Sequence, residues 1–234
     1  MMNISIKRSN NDEVQIYNVE LENTTLLAVL NYIKTKIDPT LTYSHGCRSG
    51  VCGSCAVRVN GREQLMCEYK PKDGDVIEPI RNTRVIRDLV VDTAFVERFN
   101  QAGEAWIGSA REENISVEEM ERIETQSDCI LCTSCFSACP VYAVNPDFIG
   151  PFALTRVWRY VNDPREGDSS AKIAAVQTNG IWDCTLCGEC VPVCPQGIAP
   201  KQDISMLRTK SAMAGYSDPN MSFGGGLDFG SPMF

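Results

Sequence analysis

Twelve cysteines, divided into three groups of four, constrain this chain more than any other feature of its sequence. The 234 residues begin with Met1, and no apolar signal core or small-residue cleavage site follows. We therefore expect a chain without an export signal of its own. In such a chain, so many cysteines indicate metal binding rather than disulfides.

The composition narrows the class of protein and the class of partner. Apolar residues make up 43% and charged residues 22% of the chain, as in ordinary globular proteins. The longest aliphatic run, Leu26 to Leu30, is far shorter than the roughly 18 apolar residues of a membrane-spanning helix. The net charge of −8 argues against nucleic acid as a partner.

The first group follows the spacing C-x4-C-x2-C-x11-C and comprises Cys47, Cys52, Cys55 and Cys67. This is the plant-type ligand pattern of a [2Fe–2S] cluster. Glycines within the loop fit that chemistry, because backbone N–H groups must approach inorganic sulfide closely. A zinc site is the alternative. It is disfavoured because structural zinc usually takes two separate CxxC-like pairs.

The other two groups repeat one motif, C-x2-C-x2-C-x3-C-P, which is the bacterial two-cluster signature. The first copy comprises Cys129, Cys132, Cys135 and Cys139. The second copy comprises Cys184, Cys187, Cys190 and Cys194. In that arrangement the fourth cysteine of each run binds the other cluster. We therefore predict one [4Fe–4S] cluster on Cys129, Cys132, Cys135 and Cys194, and a second on Cys139, Cys184, Cys187 and Cys190.

Little else in the sequence can perform chemistry. The lone histidine, His45, cannot make a Rieske centre, which needs two histidine ligands. We interpret His45 as a solvent-facing loop residue, with a proton-coupled tuner of the neighbouring cluster as the alternative. No G-x-G-x-x-G motif follows a strand, so no flavin or nicotinamide site is predicted. We expect no catalytic residue and no substrate site on this chain.

Residues 1–105 predict a small mixed sheet packed against one helix. Residues 14–19 alternate between outward and inward positions, as half-buried strands do. Apolar residues at helical spacing then continue until Pro39 ends the helix. Asn60-Gly61 is the strongest short signal for a hairpin.

Residues 106–212 predict helices, among them one that begins with a capping box of Ser116 and Glu119. Residues 213–234 are too rich in glycine and proline to build a core. The predicted fold is therefore α+β: an N-terminal β-grasp plant-type [2Fe–2S] ferredoxin domain, followed by an all-α bacterial-type two-cluster ferredoxin domain and a Gly-rich tail.

This domain order, together with three motifs, resembles the iron–sulfur subunit of succinate dehydrogenases and fumarate reductases. The motifs are CRSGVCGSC at 47–55, CILCTSC at 129–135 and CPQGI at 194–198. The resemblance covers roughly residues 1–212. It implies the electron-transfer subunit of an oxidoreductase, either a succinate:quinone oxidoreductase or a fumarate reductase.

The resemblance also implies two partners. Single electrons would pass between a FAD-containing flavoprotein subunit, which faces the [2Fe–2S] domain, and a quinone-reactive or membrane-anchoring subunit, which faces the helical domain. The chain would be peripheral on the membrane, on its cytoplasmic face or exported attached to a partner. The direction of electron flow is open, because succinate oxidation and fumarate reduction use the same path.

Two departures from the family pattern affect this expectation. Most members have a non-ligand residue where this chain has Cys187, and hold a [3Fe–4S] cluster there. Cys187 predicts a [4Fe–4S] cluster instead, and a [3Fe–4S] cluster follows only if Cys187 is not a ligand. The family also usually has a tryptophan and a histidine in the quinone pocket, where this chain has residues 141–144 and Thr185.

These departures resemble the E-type subgroup, whose anchor-like subunits carry cysteine-rich CCG domains. Thiol-linked and methylmenaquinol-linked fumarate reductases are similar, and a relay subunit of either kind is an alternative. A free multi-cluster ferredoxin is another, although it would not need the long insert between Cys139 and Cys184. A regulatory iron–sulfur sensor is the third, although it would normally expose a labile cluster beside an effector surface.

The tail carries apolar residues spaced like anchors along an extended peptide: Met213, Tyr216, Met221, Phe223, Leu227, Phe229, Met233 and Phe234. We predict that it docks on a neighbouring subunit, the quinone-side partner in preference to the flavoprotein. A free flexible end is the alternative.

Overall fold

The computed structural model describes residues 1–9, 14–110 and 114–220. Within these ranges, no helix is long and apolar enough to cross a membrane. Residues 221–234, which hold most of the predicted tail anchors, lie outside the described residues. The docking of the tail therefore stays a prediction.

A mixed sheet forms the N-terminal half. Its strands are β1 (Met2–Lys7), β2 (Val14–Val19), β3 (Ala56–Val59), β4 (Arg62–Leu65) and β5 (Val76–Glu78). Their order is β2-β1-β5-β3-β4, in which β1 and β5 run parallel and the other neighbours antiparallel. A short pair follows, β6 (Val85–Arg87) with β7 (Val90–Val91). This is the β-grasp arrangement that the sequence predicts.

One helix, α1 (Leu26–Tyr32), packs on this sheet and then continues in a π-helical turn (Ile33–Ile37). The N–H of Ala28 donates to the Thr25 hydroxyl at 3.3 Å, which caps the first turn. Apolar side chains of the helix and of the alternate strand positions are fully buried together, among them Leu26, Leu30, Ile4, Ile6, Val57 and Ile77. Burial of this apolar face holds the helix on the sheet.

The hairpin between β3 and β4 turns at Asn60-Gly61, as predicted. Asn60 has φ +51° and Gly61 has φ +83°, so both central residues are left-handed, as a type I′ turn requires. The Asn60 side chain donates to Asp75 Oδ1 at 2.8 Å and accepts from the N–H of Val76 at 2.8 Å. These bonds tie the turn to the start of β5.

The C-terminal half is helical, with α2 (Phe95–Ala102), α3 (Val117–Ser127), α4 (Ser134–Ala138), α5 (Gly150–Val161), α6 (Ser170–Ala175) and α7 (Pro200–Met213). A 3₁₀ turn (Pro140–Ala143) follows α4. The predicted capping box is present at α3, since Ser116 and Glu119 bond each other's backbone. Helices α5 and α7 form the centre of the core, where Phe152, Leu154, Ile204 and Leu207 are buried.

Helix α2 packs in the helical core, although it precedes the predicted boundary at residue 105. Phe99 is buried there, and the rings of Phe95 and Phe136 stack with centroids 4.0 Å apart. The domain limits at residues 105 and 212 stay a prediction.

Hydrogen bonds fix the two halves against each other. The Ser137 hydroxyl, on α4, donates to Glu63 Oε1 of β4 at 2.7 Å and accepts from the N–H of Arg81 at 2.9 Å. Ser137 and Glu63 are both buried. The Asn82 amide donates to the Phe136 carbonyl at 2.8 Å. Because Ser137 and Glu63 are buried, a substitution that removes one of them would leave the other unpaired, which is costly.

Candidate iron–sulfur centres

The loop between α1 and β3 holds Cys47, Cys52 and Cys55 and contacts Cys67, which follows β4. These four cysteines are here called the two-iron set. Cys47 and Cys52 are exposed, whereas Cys55 and Cys67 are buried at the edge of the sheet core. The sulfur atoms of Cys55 and Cys67 lie 3.4 Å apart. The two-iron set thus comprises one buried pair and one exposed pair of thiols.

Backbone N–H groups of this loop point at the sulfurs. The N–H groups of Ser49 and Val51 both donate to Cys47 Sγ at 3.4 Å, and the N–H of Gly50 donates to Cys67 Sγ at 3.3 Å. Such donors stabilise thiolates and the sulfides of a bound cluster. The residues present therefore fit a [2Fe–2S] group.

The pKa values of the thiols differ within the two-iron set. The two backbone N–H groups lower the pKa of Cys47 to about 6. Burial raises the pKa of Cys55 to about 12. A buried thiol of this kind loses its proton when a cation arrives, since metal ligation requires the thiolate.

The second group of thiols lines one cavity of the helical half. Cys129, Cys132, Cys135 and Cys194, here called the middle set, surround it together with apolar side chains such as Leu131, Phe152 and Ile198. Cys194 belongs to the second sequence run, so the structure brings the fourth cysteine of one run to the first three of the other. Burial raises the pKa of Cys135 well above its usual value.

Cys139, Cys184, Cys187 and Cys190, here called the terminal set, are also electrostatic neighbours. Burial, and then the charges of Cys184 and Cys187, raise the pKa of Cys139 to about 11. Burial raises the pKa of Cys190 to about 12, with contributions from Cys184 and Cys139. Cys139 thus lies near cysteines of the other run, whereas crossed ligation itself stays a prediction.

In the described ranges, no group of three or more His, Cys, Asp or Glu side chains is arranged to hold a single metal ion. The thiols of one set would bind different irons of a cluster, so they need not converge on one point. The assignment of individual cysteines as ligands stays a prediction.

Two charged groups near these sets have no signature in the sequence. Arg208, on α7, donates to the carbonyl of Cys184 at 2.6 Å and to that of Ile181 at 2.9 Å. Asp203, one turn earlier, is buried and accepts from the Thr155 hydroxyl at 2.8 Å. Thr155 in turn lines the cavity of the middle set. Sequence patterns miss both because their roles depend on tertiary contacts.

His45 lies exposed in the loop of the two-iron set, with its ring centroid 5.8 Å from that of Tyr43. Tyr142, near the position where the family has its tryptophan, is buried, whereas Val144 is 86% exposed and Thr185 is exposed. Neither a tryptophan nor a histidine lies at these positions.

Family comparisons agree with this geometry. Residues 3–98 match the 2Fe-2S iron-sulfur cluster binding domain, and residues 125–198 match the 4Fe-4S dicluster domain. These two matches confirm the predicted fold class and the predicted cofactors, one [2Fe–2S] cluster and two clusters of the 4Fe type.

The chain is 39% identical to the 8-methylmenaquinol:fumarate reductase iron-sulfur subunit of Wolinella succinogenes, over 86% of this chain and 69% of that protein. It is 34% identical to the fumarate reductase iron-sulfur subunit of Haemophilus influenzae, over 91% of this chain and 93% of that protein. A chain of the Mycobacterium smegmatis Sdh1 complex in the apo form shares the fold, with a TM-score of 0.81 at 24% identity over 92% of this chain and 97% of that one. The chain therefore belongs to the family of iron–sulfur subunits of fumarate reductases and succinate dehydrogenases.

Proposed function

We propose that this chain is the electron-transfer subunit of a succinate:quinone oxidoreductase or fumarate reductase. It relays single electrons between a FAD-containing flavoprotein subunit and a quinone-reactive, membrane-anchoring subunit. The observation that carries the proposal is that the three thiol sets follow one another through direct contacts. The loop of the two-iron set touches that of the middle set at Gly53 and Cys132, and α4 connects the middle set to the terminal set.

In this proposal each set holds one cluster: the two-iron set a [2Fe–2S] group, and the middle and terminal sets a [4Fe–4S] group each. An iron–sulfur cluster, when bound, accepts and gives up one electron at a potential tuned by charge and hydrogen bonds. The protein's contribution is to hold the thiols at fixed separations, to point N–H groups at sulfur and to exclude water from the buried thiols. In this proposal the flavoprotein binds the substrate, and the described part of this chain contributes no substrate site.

The two-iron set and the terminal set stand at the two ends of this series of contacts. The exposed surface at each of these ends is a proposed contact surface. Val51 lies beside Cys52 and is 64% exposed, although it is apolar, so we assign this loop to the flavoprotein. Cys187 of the terminal set is exposed, as is Val144, so we assign that end to the quinone-side partner. Association with the membrane would be peripheral, through this partner, which could be of the CCG-domain type.

Purification of the affinity-tagged chain from its own cells, under anaerobic conditions, tests the relay. We expect a flavin-containing subunit to co-purify in a fixed ratio, and about 10 iron atoms per chain from the ligand count. Reduction of the complex by succinate should produce electron paramagnetic resonance signals from this chain's clusters. A stable monomer without flavin, and clusters that succinate does not reduce, would contradict the proposal.

The ligand sets need a separate test, because crossed ligation is specific. Cys194→Ser should alter the signal of the cluster that also loses iron in Cys129→Ser. Cys139→Ser should instead alter the cluster affected by Cys184→Ser. If each fourth cysteine affected the cluster of its own run, the proposed sets would be wrong even though the relay could stand.

A further inference from the structure

One close contact between the two-iron set and the middle set is made by backbone atoms at Gly53. Gly53, between Cys52 and Cys55, is buried and has φ +70°. A Cβ atom at this position would lie 2.5 Å from the Ile130 carbonyl oxygen and 2.8 Å from both N and Cα of Cys132. Real Cβ atoms do not approach other atoms so closely, so only glycine permits this contact.

The ligand loop of the middle set, residues 129–135, contacts both halves of the molecule. Ile130 and Cys132 pack against the core of the sheet, whereas Leu131 and Cys135 pack against the core of the helices. Leu131 has φ +53°, and so this loop is itself in an unusual conformation. The ligand loop of the middle set thus reaches across to the loop of the two-iron set.

A hydrogen bond also joins the two-iron set and the middle set. The Gln196 amide, two residues after Cys194, donates to the Gly50 carbonyl at 3.1 Å. Next to the Gly53 contact, a cleft of about 370 Å³ separates the halves and is lined by Cys52, Ser54, Leu131 and Thr133. Gly53 thus lies at the edge of this cleft, where the backbones of the two ligand loops meet.

We propose that Gly53 is a positioning residue that sets the separation of the two-iron and middle centres, and with it the rate of electron transfer between them. The inference rests on the proposed function, since it assumes that both sets hold clusters. One electron lost by one centre is gained by the other, and no bond or proton changes. Electron tunnelling falls exponentially with distance, so a small outward shift of one loop is enough to slow it.

The remainder of the interface prevents the halves from simply moving apart. The bonds of Ser137 with Glu63 and Arg81, and that of Arg62 with the Pro192 carbonyl at 3.0 Å, hold their orientation. A side chain at position 53 must therefore displace one ligand loop locally. That displacement changes the distance between the two centres without dismantling the fold.

Gly53→Ala in the full, cluster-loaded chain tests the proposal. We expect full iron content and the signals of all three clusters. The reduced middle centre should enhance the spin relaxation of the [2Fe–2S] signal less than in the wild type, and transfer between the two centres should slow several-fold. Freeze-quench or pulse-radiolysis experiments measure that rate, without any partner or substrate.

Gly188→Ala is the matched control. Gly188 also follows a cysteine in a C-G-x-C segment and has φ +89°, but its Cβ would meet only the flexible Lys201 side chain, at 3.6 Å from Cδ and 4.0 Å from Nζ. The Gly188→Ala variant therefore has the backbone strain of an alanine at positive φ, but it does not disturb the contact between the two ligand loops at Gly53. We expect no change in relaxation or transfer between the two-iron and middle centres. An equal effect in both variants would overturn the proposal, because strain would explain it.

Gln196→Met keeps the test decisive if Gly53→Ala fails to load its [2Fe–2S] cluster. This change removes the donor to Gly50 while it preserves most of the side-chain volume, and it should weaken the same relaxation effect with all clusters present. Unchanged relaxation and transfer in the variants that load fully would refute the role of this contact. A wild-type chain that fails to load its clusters would instead refute the proposed function.

Discussion

Arg208 binds the backbone of the terminal set directly: its guanidinium donates to the carbonyl of Cys184 at 2.6 Å. The same group lies 5.4 Å from the centre of the Trp182 ring and donates to the carbonyl of Ile181. Arg208 thereby anchors the segment before the second cysteine run to α7. Its positive charge also acts to lower the pKa of the half-buried Cys184, against the larger effect of burial.

We predict that Arg208→Gln lowers the midpoint potential of the terminal centre. A nearby positive charge favours the reduced state, which is more negative, so its removal favours oxidation. We expect a shift on the order of 59 mV, which is tenfold in the equilibrium of a one-electron step. Potentiometric titration followed by electron paramagnetic resonance measures the shift. Arg208→Lys keeps the charge and should shift less, so equal shifts in both variants would contradict the electrostatic explanation.

Helix α7, which carries Arg208, has a length that the sequence pattern does not predict. Short apolar runs predict a helix near residues 204–207, but α7 spans Pro200–Met213. Its polar and apolar residues are poorly segregated around the helix, because Asp203 and Ser211 are buried with Leu207 while Met206 is 45% exposed. Without an apolar stripe, periodicity cannot give the length of the helix.

The Asn60-Gly61 turn and the capping box were predictable because local backbone preference and hydrogen bonding determine them. The spacing of the cysteines predicts the three thiol sets, whose role as ligands stays a prediction. Helix α2 and the contact of Gly53 with Cys132 were not predictable, because they depend on which surfaces meet after folding. The glycine of the C-G-S-C segment predicts close backbone approach, but the sequence does not say what approaches. That partner emerges only when both ligand loops are placed.

Asp203 gives a prediction for pH. Burial raises its pKa from 3.8 to about 6 in the folded chain, although hydrogen bonds from Thr155 and Gln126 oppose the shift. Between these two values the folded state binds more protons than the unfolded state, so this group's contribution to stability falls as pH rises from about 4 to about 6 and is then constant. At neutral pH the buried, ionised Asp203 therefore lowers the free energy of unfolding by at most about 3 kcal/mol.

We therefore predict that Asp203→Asn stabilises the cluster-loaded chain at pH 7 by roughly 1–3 kcal/mol and removes this pH dependence. The amide can accept from Gln126 and donate to the Thr155 hydroxyl, so both hydrogen bonds survive. Anaerobic denaturant unfolding at pH 5 and pH 7 measures the difference. Asp147→Asn, at an exposed aspartate, should change neither value. A loss of stability at pH 7 in Asp203→Asn would show that the carboxylate is favourable there.

The terminal centre provides a test of Cys187. Replacing this exposed thiol by isoleucine leaves three predicted ligands, so we expect conversion of the [4Fe–4S] cluster to [3Fe–4S], with the chain still folded and the midpoint potential raised. Low-temperature electron paramagnetic resonance of the oxidised, anaerobically prepared protein detects the three-iron form. Thr185→Ile, at a neighbouring exposed residue, should keep the four-iron signal. An unchanged signal in Cys187→Ile would remove Cys187 from the ligand set.

The tail prediction can be tested by truncation after Gly215, which leaves the end of α7 intact. Ordering a free peptide costs roughly 1–2 kcal/mol per residue, and a segment so rich in glycine cannot offset this by burying its own apolar surface. Its apolar side chains can do so on a neighbouring subunit. We expect the truncated chain to load its clusters normally and to lose the quinone-side partner during purification, while the flavoprotein stays bound.

Truncation after Asn220 removes only residues 221–234. It should also cause loss of the quinone-side partner if the apolar residues beyond Asn220 make the contact with that partner. Retention of Tyr216, which is 40% exposed, should then not restore binding. The stoichiometry of subunits after gel filtration and the rate of quinone-linked succinate oxidation measure the outcome. If both truncated chains stay in a complete complex with full quinone-linked activity, the tail is a free end and the docking prediction is wrong.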